Sequence, residues 1–539
     1  MANITEALAS SGVFDAYLSK HLPAATAGVV FLVFVWLAQT WLKVDPLANV
    51  PVMGKGGQLS RRKQFVMGKG VDFYTEGYRK FKDSIFRVTT TRSSDSICVP
   101  PKYLPELKKL PDDVLSFNKA IDEVFQRAYR SCSLLLTKKS MHVEYTKIKT
   151  DNPILVHTVR ASLTPALPRL NASIADEVGE SMRMELPQSS EWTAVNINSK
   201  LLRVIAMASG RIFIGPELCR DERYLDASIN YTVDLMTAVH VVGFMPVWLR
   251  PILAPFLPPI KKLNRRINEA EAVFRPIVTE RRKLCENPDH QQPDDMLQWI
   301  LNAKDKFGVQ SDRDLAQLQL GVSFAAIHTT SMTTTNALYW LAAKPDIAPI
   351  LRDDVQQALL ESGGQFTSPA LQNMKKLDSF LKEVLRCSPL GAASFQRKLL
   401  KDIKLPNGQT IPGGLVIEIP ASGVNLDDDI FPNAEEFDAL RFYKLRQAKV
   451  DAESSTKAAE VVAQSQFVSV GTAHLTFGYG KHACPGRFFA ANEIKMIMAN
   501  LVLNYEVKMP DGLTERYPQL VFGGSAIPDP KKSIMIRKL

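Results

Sequence analysis

The residues with the clearest chemical potential surround one cysteine, Cys484, in the stretch FGYGKHACPG at residues 477–486. A lone thiolate can serve as a nucleophile or as an axial ligand to haem iron. A nucleophile needs a basic partner and an oxyanion hole, and nothing completes a triad with His482, which is close in sequence. No second cysteine lies nearby, so a metal site of the Cys-x-x-Cys type is excluded. The turn therefore favours the iron ligand.

The residues around Cys484 suit a sulfur that has to stay charged. Gly480 and Gly486 allow the backbone to pass close to the sulfur and to a flat ring system. Phe477 would shield the sulfur from water. The next segment, RFFAANEIKMIMANLVL, predicts a helix whose amino end stabilises a nearby negative charge. These features predict a thiolate–iron site on a glycine-rich turn.

Three further stretches contain residues with possible roles at such a site. KEVLR contains Glu383 and Arg386, whose spacing more often gives an ordinary ion pair on one helix. Arg441, in FDALRF, would extend that pair into an Arg–Glu–Arg network. AAIHTT contains His328 and Thr329, which by default would be a hydrogen-bonded helix histidine and a threonine bonded back to a carbonyl one turn earlier. Each stretch is weak alone.

Together and in this order, the four stretches resemble the motifs of the cytochrome P-450 monooxygenases. FGYGKHACPG matches Phe-x-x-Gly-x-(Arg/His)-x-Cys-x-Gly, the haem-binding signature of that family, and four ordered matches make chance negligible. The resemblance implies a mainly α fold with a small β portion, and haem as the cofactor with Cys484 as its axial ligand. The residues expected to bind haem are Cys484, Phe477, Gly480, His482, Gly486 and Arg397, and the expected structural network is Glu383, Arg386 and Arg441.

The resemblance also implies a route for protons. In the family, the threonine that corresponds to Thr329 donates towards iron-bound dioxygen and holds a water for proton delivery. His328 stands where the family usually has an acid, and since histidine can relay protons near neutral pH, we expect both residues to be catalytic. The family's Trp-x-x-x-Arg is not present, and HTVR, which ends at Arg160, is the substitute that the sequence offers.

The segments AAIHTTS and HACPGRFFA are especially similar to fungal secondary-metabolite enzymes of the ent-kaurene oxidase type. This implies that dioxygen is used to oxidise a lipophilic substrate, a terpenoid, indole-diterpenoid or related polycyclic compound. The chain contains no NADPH or flavin motif, so we expect electrons from NADPH–cytochrome P-450 reductase, with a cytochrome b-type protein as a further donor. The expected substrate pocket consists of Phe324, Ile327, Ala393, Phe395, Gly524 and Ser525, although an apolar lining is also typical of any core.

Segments whose apolar residues recur with helical periodicity are expected to position these residues. Ser311 and Asp314 resemble a capping box, so a long apolar helix through the domain centre is predicted from near Ser311 to Lys344. A second helix is predicted from Ser368 to just before Pro389, and a hairpin turning at Asn407-Gly408 follows it.

The amino end predicts a membrane anchor. Residues 22–42 form an uncharged, mainly apolar run long enough to cross a bilayer, and no clear cleavage site supports the alternative of a signal peptide. Basic residues follow the run, so residues 1–21 are expected to be a lumenal tail and the main body cytoplasmic, at the endoplasmic reticulum. Residues 43–71 are interpreted as a basic linker and 72–539 as the catalytic domain. Six scattered cysteines agree with a reducing compartment.

Two other functions stay open on the sequence. One is a haem-thiolate isomerase or dehydratase that needs neither dioxygen nor reductase, which Thr329 argues against. The other is a non-enzymatic, membrane-tethered carrier of lipid or haem. The net charge of +10 suits an anionic membrane surface or an acidic partner. Nucleic acid is not expected, because no zinc finger, RNP-like strand or long basic helix is present.

Overall fold

The computed structural model describes residues 47–92, 94–124, 152–243, 245, 249–285, 287, 289, 291–450 and 462–539. The chain divides into two units, Met1–Pro51 and Val52–Leu539. In the first unit the described residues form a turn in which the N–H of Val50 donates to the carbonyl of Leu47 (2.9 Å). The predicted anchor at 22–42 lies outside the described residues, and none of the helices that are described is long and apolar enough to span a membrane.

Helices make up most of the second unit. They are α1 Gln58–Gln64, α2 Gly70–Lys80, α3 Leu104–Leu107, α4 Phe117–Val124, α5 Ile154–Thr158, α6 Thr164–Glu185, α7 Ile197–Phe213, α8 Glu222–Gly243, α9 Arg250–Leu253, α10 Pro258–Leu284, α11 Met296–Asn302, α12 Lys304–Phe307, α13 Asp312–Ala343, α14 Ile347–Leu360, α15 Ser368–Asn373, α16 Lys375–Cys387, α17 Ala421–Asn425, α18 Arg441–Val450 and α19 Arg487–Asn504. Wider π turns at Phe65–Lys69 and Val159–Leu163 join α1 to α2 and α5 to α6, and short 3-10 turns span Pro101–Tyr103, Ala254–Phe256 and Gly480–His482.

Short strands form the small β portion. They are β1 Phe86–Val88, β2 Ser96–Cys98, β3 Leu115–Ser116, β4 Thr193–Val195, β5 Ser394–Leu399, β6 Ile403–Lys404, β7 Thr410–Ile411, β8 Val416–Ile419, β9 Tyr505–Lys508, β10 Leu520–Phe522, β11 Ser525–Ile527 and β12 Ile534–Lys538. Their sheets have the orders β1-β2-β8-β5-β3, β4-β12-β9, β6-β7 and β10-β11. The mainly α fold with a small β portion agrees with the expectation.

The long central helix confirms the capping signal. In α13 the Ser311 hydroxyl accepts from the N–H of Asp314 (3.1 Å) and donates to its carboxylate (2.8 Å). The helix continues to Ala343 and packs against α7, α8 and α10, so most of its faces are buried. An apolar helix enclosed in this way is a rigid support for the residues at its middle. The predicted hairpin is also present as β6 and β7, with Gly408 in the left-handed region (φ +87°) at its turn.

The single helix predicted from Ser368 to Pro389 is wrong. The structure has two helices, α15 and α16, separated at Met374, which leaves the helical region (φ −69°, ψ 67°). The new amino end is capped from another helix, because the Asp354 carboxylate accepts from the N–H groups of Lys376 (2.9 Å) and Leu377 (3.0 Å). The Asp354 side chain, from α14, thus accepts hydrogen bonds from amides that would donate to carbonyls within the helix if α15 and α16 were continuous.

Residues 52–71, assigned to a linker from their composition, are part of the folded unit. Phe65 and Val66 are buried there. Gly70 packs directly on the backbone at Gly523, where an added Cβ would lie 1.8 Å from the carbonyl oxygen. The glycines of this segment therefore allow close packing of backbone on backbone, which composition alone does not distinguish from linker flexibility.

Candidate active site

Cys484 lies on a tight loop just before α19. Gly478 and Gly480 both have positive φ (+78° and +71°), and the N–H of Cys484 donates to the carbonyl of Phe477 (2.8 Å). Burial raises the pKa of the Cys484 thiol, while the backbone amides of Gly486 and Arg487 and the charge of Arg487 lower it in part. The amide donors at the start of α19 therefore face the sulfur, as a thiolate needs.

Two adjoining cavities surround this sulfur. They measure about 460 and about 280 Å³ and share five lining residues: Ala393, Ser394, Thr476, Phe477 and Cys484. Because they share walls, the two spaces form one cleft with Cys484 at its floor. We call it the thiolate cleft.

A buried cation lies in the larger part of the thiolate cleft. Arg397 is only 4% exposed, and its guanidinium stacks over the rings of Phe395 (4.3 Å) and Phe117 (4.9 Å). It donates to the backbone carbonyl of Gln396 (2.8 Å), and it forms no ion pair with any carboxylate in the described ranges. Burial lowers the pKa of Arg397 to about 10, and the more distant charge of Asp112 opposes this. An arginine held this way is suited to an anionic group that enters the cleft.

His482 lines the same part of the cleft but has a protein partner. Its Nε2 lies 3.3 Å from the Asp112 carboxylate, and its ring stacks on Phe117 with 4.9 Å between centroids. Lys481 also pairs with Asp112 (2.9 Å). Burial lowers the pKa of His482, and Asp112 raises it in opposition. The structure thus adds Asp112 as the group that orients His482.

The central helix contributes Thr329 to the smaller part of the cleft, which Cys484 also lines. The Thr329 hydroxyl donates to the carbonyl of Ala325 (2.7 Å), one turn earlier. His328 has a different environment. Its Nε2 lies 2.8 Å from the carbonyl of Ile229 in α8, and burial lowers the pKa of the ring. Thr329 therefore faces the cleft, whereas the adjacent His328 contacts α8.

Glu383, Arg386 and Arg441 meet at a buried carboxylate. Arg386 pairs with Glu383 through two hydrogen bonds (2.7 and 2.9 Å), and Arg441 adds a third (3.0 Å). Glu383 is fully buried and also accepts from the N–H of Asp438 (3.0 Å). Arg386 donates onward to the carbonyls of Asn425 and Glu436. The network fixes α16 to the segment that precedes α18.

The expected pocket residues are only partly brought together. Ala393 lines both parts of the cleft and Phe395 lines the larger part. Phe324 packs, half-buried, against the helical core. Gly524 and Ser525 support the wall from behind, since Gly524 accepts from the N–H of Ala392 (2.8 Å) and Ser525 bridges to Gly391.

Ile327 lies apart from the residues that line the thiolate cleft. Ile327 is fully buried among core residues. The residues of α13 that line the cleft include Ala325, Thr329 and Thr333, which are four positions apart. Ile327 lies two positions from Ala325 and from Thr329, which places it on the other side of the helix.

Arg160, at the end of the HTVR stretch, lines the larger part of the cleft. Its Nη2 donates to the carbonyl of Lys481 (2.5 Å), within the loop that presents Cys484. Phe117, which stacks on both Arg397 and His482, was missed. The only available signal was an aromatic residue at the start of a short helix, and such a residue is indistinguishable from core.

Comparison with known proteins decides the family. The cytochrome P450 family model matches residues 63–534. The chain belongs to the cytochrome P450 family. This cytochrome P450 is 41% identical over 446 residues to the cytochrome P450 monooxygenase ATR3 of Stachybotrys chlorohalonatus, which covers 83% of this chain and 89% of that protein. It is 32% identical to the cytochrome P450 monooxygenase braC of Annulohypoxylon truncatum, over 95% of this chain and 97% of that protein.

Among solved structures, the retinoic acid-bound cyanobacterial CYP120A1 is similar in fold. The TM-score is 0.61 at 19% identity, and the match covers 88% of this chain and 97% of that one. The cytochrome P450 described here is a monooxygenase with haem as its cofactor. The thiolate cleft fits haem, because it combines a cysteine facing amide donors with a buried arginine that has no carboxylate partner among the described residues.

Proposed function

We propose that this cytochrome P450 monooxygenase oxidises a lipophilic secondary metabolite, a terpenoid or indole-diterpenoid or a related polycyclic compound. The supporting observation is the chemistry of the cleft near Thr329. Its neighbours there include Ala325, Leu390 and Ala393, which present hydrocarbon surface, and Thr329 supplies a hydroxyl. A site of this kind binds by apolar contact and orients its ligand with few polar groups.

The proposed roles follow from the positions. Cys484 would hold the haem iron, and Arg397, Arg160 and His482 would face the haem's anionic groups. When bound, haem supplies redox chemistry and dioxygen activation, which thiolate ligation favours. Phe477 and the glycine-rich loop would keep water from the sulfur.

Thr329 is the proposed proton donor to the cleft. Its hydroxyl now donates to the Ala325 carbonyl, a bond within one helix turn that can be exchanged for one to a bound water at little cost. A threonine facing the cleft beside Cys484 favours the monooxygenase over a dioxygen-independent isomerase or a carrier.

We also propose a membrane-bound enzyme supplied with electrons by a separate protein. The apolar run at 22–42 would anchor the chain at the endoplasmic reticulum with the catalytic domain in the cytoplasm. NADPH–cytochrome P450 reductase would be the main donor, with a cytochrome b-type protein as a second. Lys481 and Arg487, near the Cys484 loop, would contribute to docking an acidic partner.

The test is co-expression of the full chain with a fungal reductase in yeast, with candidate terpenoids and indole-diterpenoids fed to the cells. We expect a product that contains one added oxygen atom from isotopically labelled dioxygen. Matched cells expressing Cys484→Ala should form none, and their reduced protein should lose the red-shifted carbon monoxide spectrum of thiolate ligation. Turnover without NADPH or reductase, or product from the Cys484→Ala chain, would contradict the proposal.

A further inference from the structure

His328 makes a polar contact between two helices at the edge of the thiolate cleft. Its Nε2 lies 2.8 Å from the carbonyl oxygen of Ile229, so the ring of a residue on α13 is joined to the backbone of α8. The next residue, Thr329, faces the cleft from the same turn of α13. The contact therefore links the position of α8 to the turn that contains the proposed proton donor.

The chemistry of this contact does not suit a proton relay through Nε2. A relay nitrogen has to face a group that can both give and receive a proton, whereas a backbone carbonyl only accepts a hydrogen bond. The Nε2 of His328 consequently keeps its hydrogen and donates it to Ile229. Burial lowers the pKa of the ring and so favours its neutral form, while the bond to Ile229 opposes this in part.

Other contacts hold α8 from its remaining sides. Arg266 of α10 pairs with Asp234 and with Asp226 (2.8 Å), and His240 stacks edge-on against Phe522 with 4.9 Å between centroids. These contacts join α8 to α10 and to β10. None of these named contacts joins α8 to α13, so the position of α8 relative to α13 depends on other contacts.

Buried hydroxyls also meet at the interface of α8 and α13, apart from the His328 bond. Ser228 and Ser323 lie close enough to the phenol of Tyr224 to lower its pKa, although burial is stronger and raises that pKa to about 12. Ser323 belongs to α13, whereas Tyr224 and Ser228 belong to α8, so these buried hydroxyls are a second polar contact across the interface. Of these two contacts, the His328–Ile229 bond directly adjoins Thr329, whereas Ser323 lies six residues before Thr329 on α13.

We infer that His328 is a positioning residue that fixes the turn of Thr329 to α8, and that it is not part of the proton path. This inference deepens the proposed function and rests on it. By joining this turn of α13 to the backbone of α8, the bond would hold Thr329 in place where it faces the cleft. Loss of the bond should increase the fraction of electrons that reduce dioxygen to hydrogen peroxide instead of supporting substrate oxidation.

Substitutions that separate donation from titration test the inference in the haem-loaded full chain. His328→Gln keeps an N–H donor of similar reach but cannot become an imidazolium, whereas His328→Leu removes the donor. Thr237→Val is the control, because the exposed Thr237 hydroxyl bonds to the Val233 carbonyl within its own helix.

The first measurement is hydrogen–deuterium exchange over residues 226–236. We expect about three- to tenfold faster exchange in His328→Leu, the effect of losing one buried hydrogen bond, and rates within about twofold of wild type in His328→Gln and Thr237→Val. The second is the fraction of NADPH electrons released as hydrogen peroxide, from about pH 5.5 to about 8.5. His328→Leu should increase it, and His328→Gln should keep both the wild-type value and its pH profile.

Two results would overturn the inference. One is a His328→Gln enzyme that loses electrons as His328→Leu does, with a changed pH profile and unchanged exchange, since this would identify a relay. The other is unchanged exchange in His328→Leu. Failure of the proposed function is separately visible: the wild-type enzyme would then lack the thiolate carbon monoxide spectrum or consume no NADPH, while the exchange comparison would still report on the contact.

Discussion

Replacing Glu493 with glutamine should change how the stability of the enzyme depends on pH. Glu493 lies on α19, is fully buried, and accepts a hydrogen bond from the Ser209 hydroxyl (2.8 Å) through Oε1. Its Oε2 is buried without a partner among the described residues. Burial raises the pKa of Glu493 from 4.5 to about 8, and Ser209 opposes this only in part.

The raised pKa fixes the sign of the effect. Below pH 4.5 the carboxyl is protonated in both the folded and the unfolded chain, and its favourable contribution is fully present. As the pH rises towards about 8, only the unfolded chain releases the proton, so the free energy of unfolding falls. The largest slope is about 1.4 kcal/mol per pH unit, and the whole interval corresponds to at most about 5 kcal/mol. Relaxation and water entry around a buried charge reduce this, and we expect about 2–4 kcal/mol.

The assay is urea unfolding of haem-loaded wild-type and Glu493→Gln enzymes, followed by circular dichroism at several pH values between about 5 and about 9. Glutamine resembles the protonated carboxyl and cannot ionise. The variant should therefore be close to wild type near pH 5 and increasingly more stable than wild type as the pH rises. Glu269→Gln, at an exposed position, is the control and should leave the wild-type slope unchanged. A constant difference between Glu493→Gln and wild type across this range would refute the reasoning.

Two further predictions concern the cleft and its support. Arg397→Leu should weaken haem binding by about 10- to 100-fold, since it removes charged hydrogen bonds from a buried site, and transfer of haem to apomyoglobin measures this. Unchanged haem retention would show that Arg397 does not face the cofactor. Glu383→Gln should lower the free energy of unfolding by about 3–5 kcal/mol, because Arg386 and Arg441 would keep their charges without the buried carboxylate. Glu435→Gln, which removes an exposed ion pair, is the control and should cost less than about 1 kcal/mol, and equal losses in the two variants would contradict the assigned network.

Local signals in the sequence predicted the parts of the fold that local interactions determine. The cap at Ser311 is satisfied by a residue three positions later, so the start of α13 follows from sequence alone. The loop around Cys484 is likewise built from neighbouring glycines and one backbone bond to Phe477. Short-range chemistry of this kind is visible without a structure.

The remaining features depend on residues far apart in the chain. Met374 interrupts a continuous helical pattern because Asp354 caps the following turn from another helix. The contacts of His482 with Asp112 and of His328 with Ile229 produce no recognisable pattern in the sequence, since the ring nitrogen of either histidine could find a hydrogen-bond partner in many ways. These contacts are determined by how the helices pack and are therefore defined only by the three-dimensional structure.

The Glu383 network also has a consequence for the order in which the enzyme is assembled. Every partner of Glu383 within the described residues lies at or before Arg441 in the chain, and Cys484 follows later. During synthesis from the amino end, the carboxylate can therefore recruit both arginines while the loop of Cys484 is still inside the ribosome. The scaffold beneath the cleft is ready before its sulfur emerges, and capture of haem becomes the closing step of biogenesis.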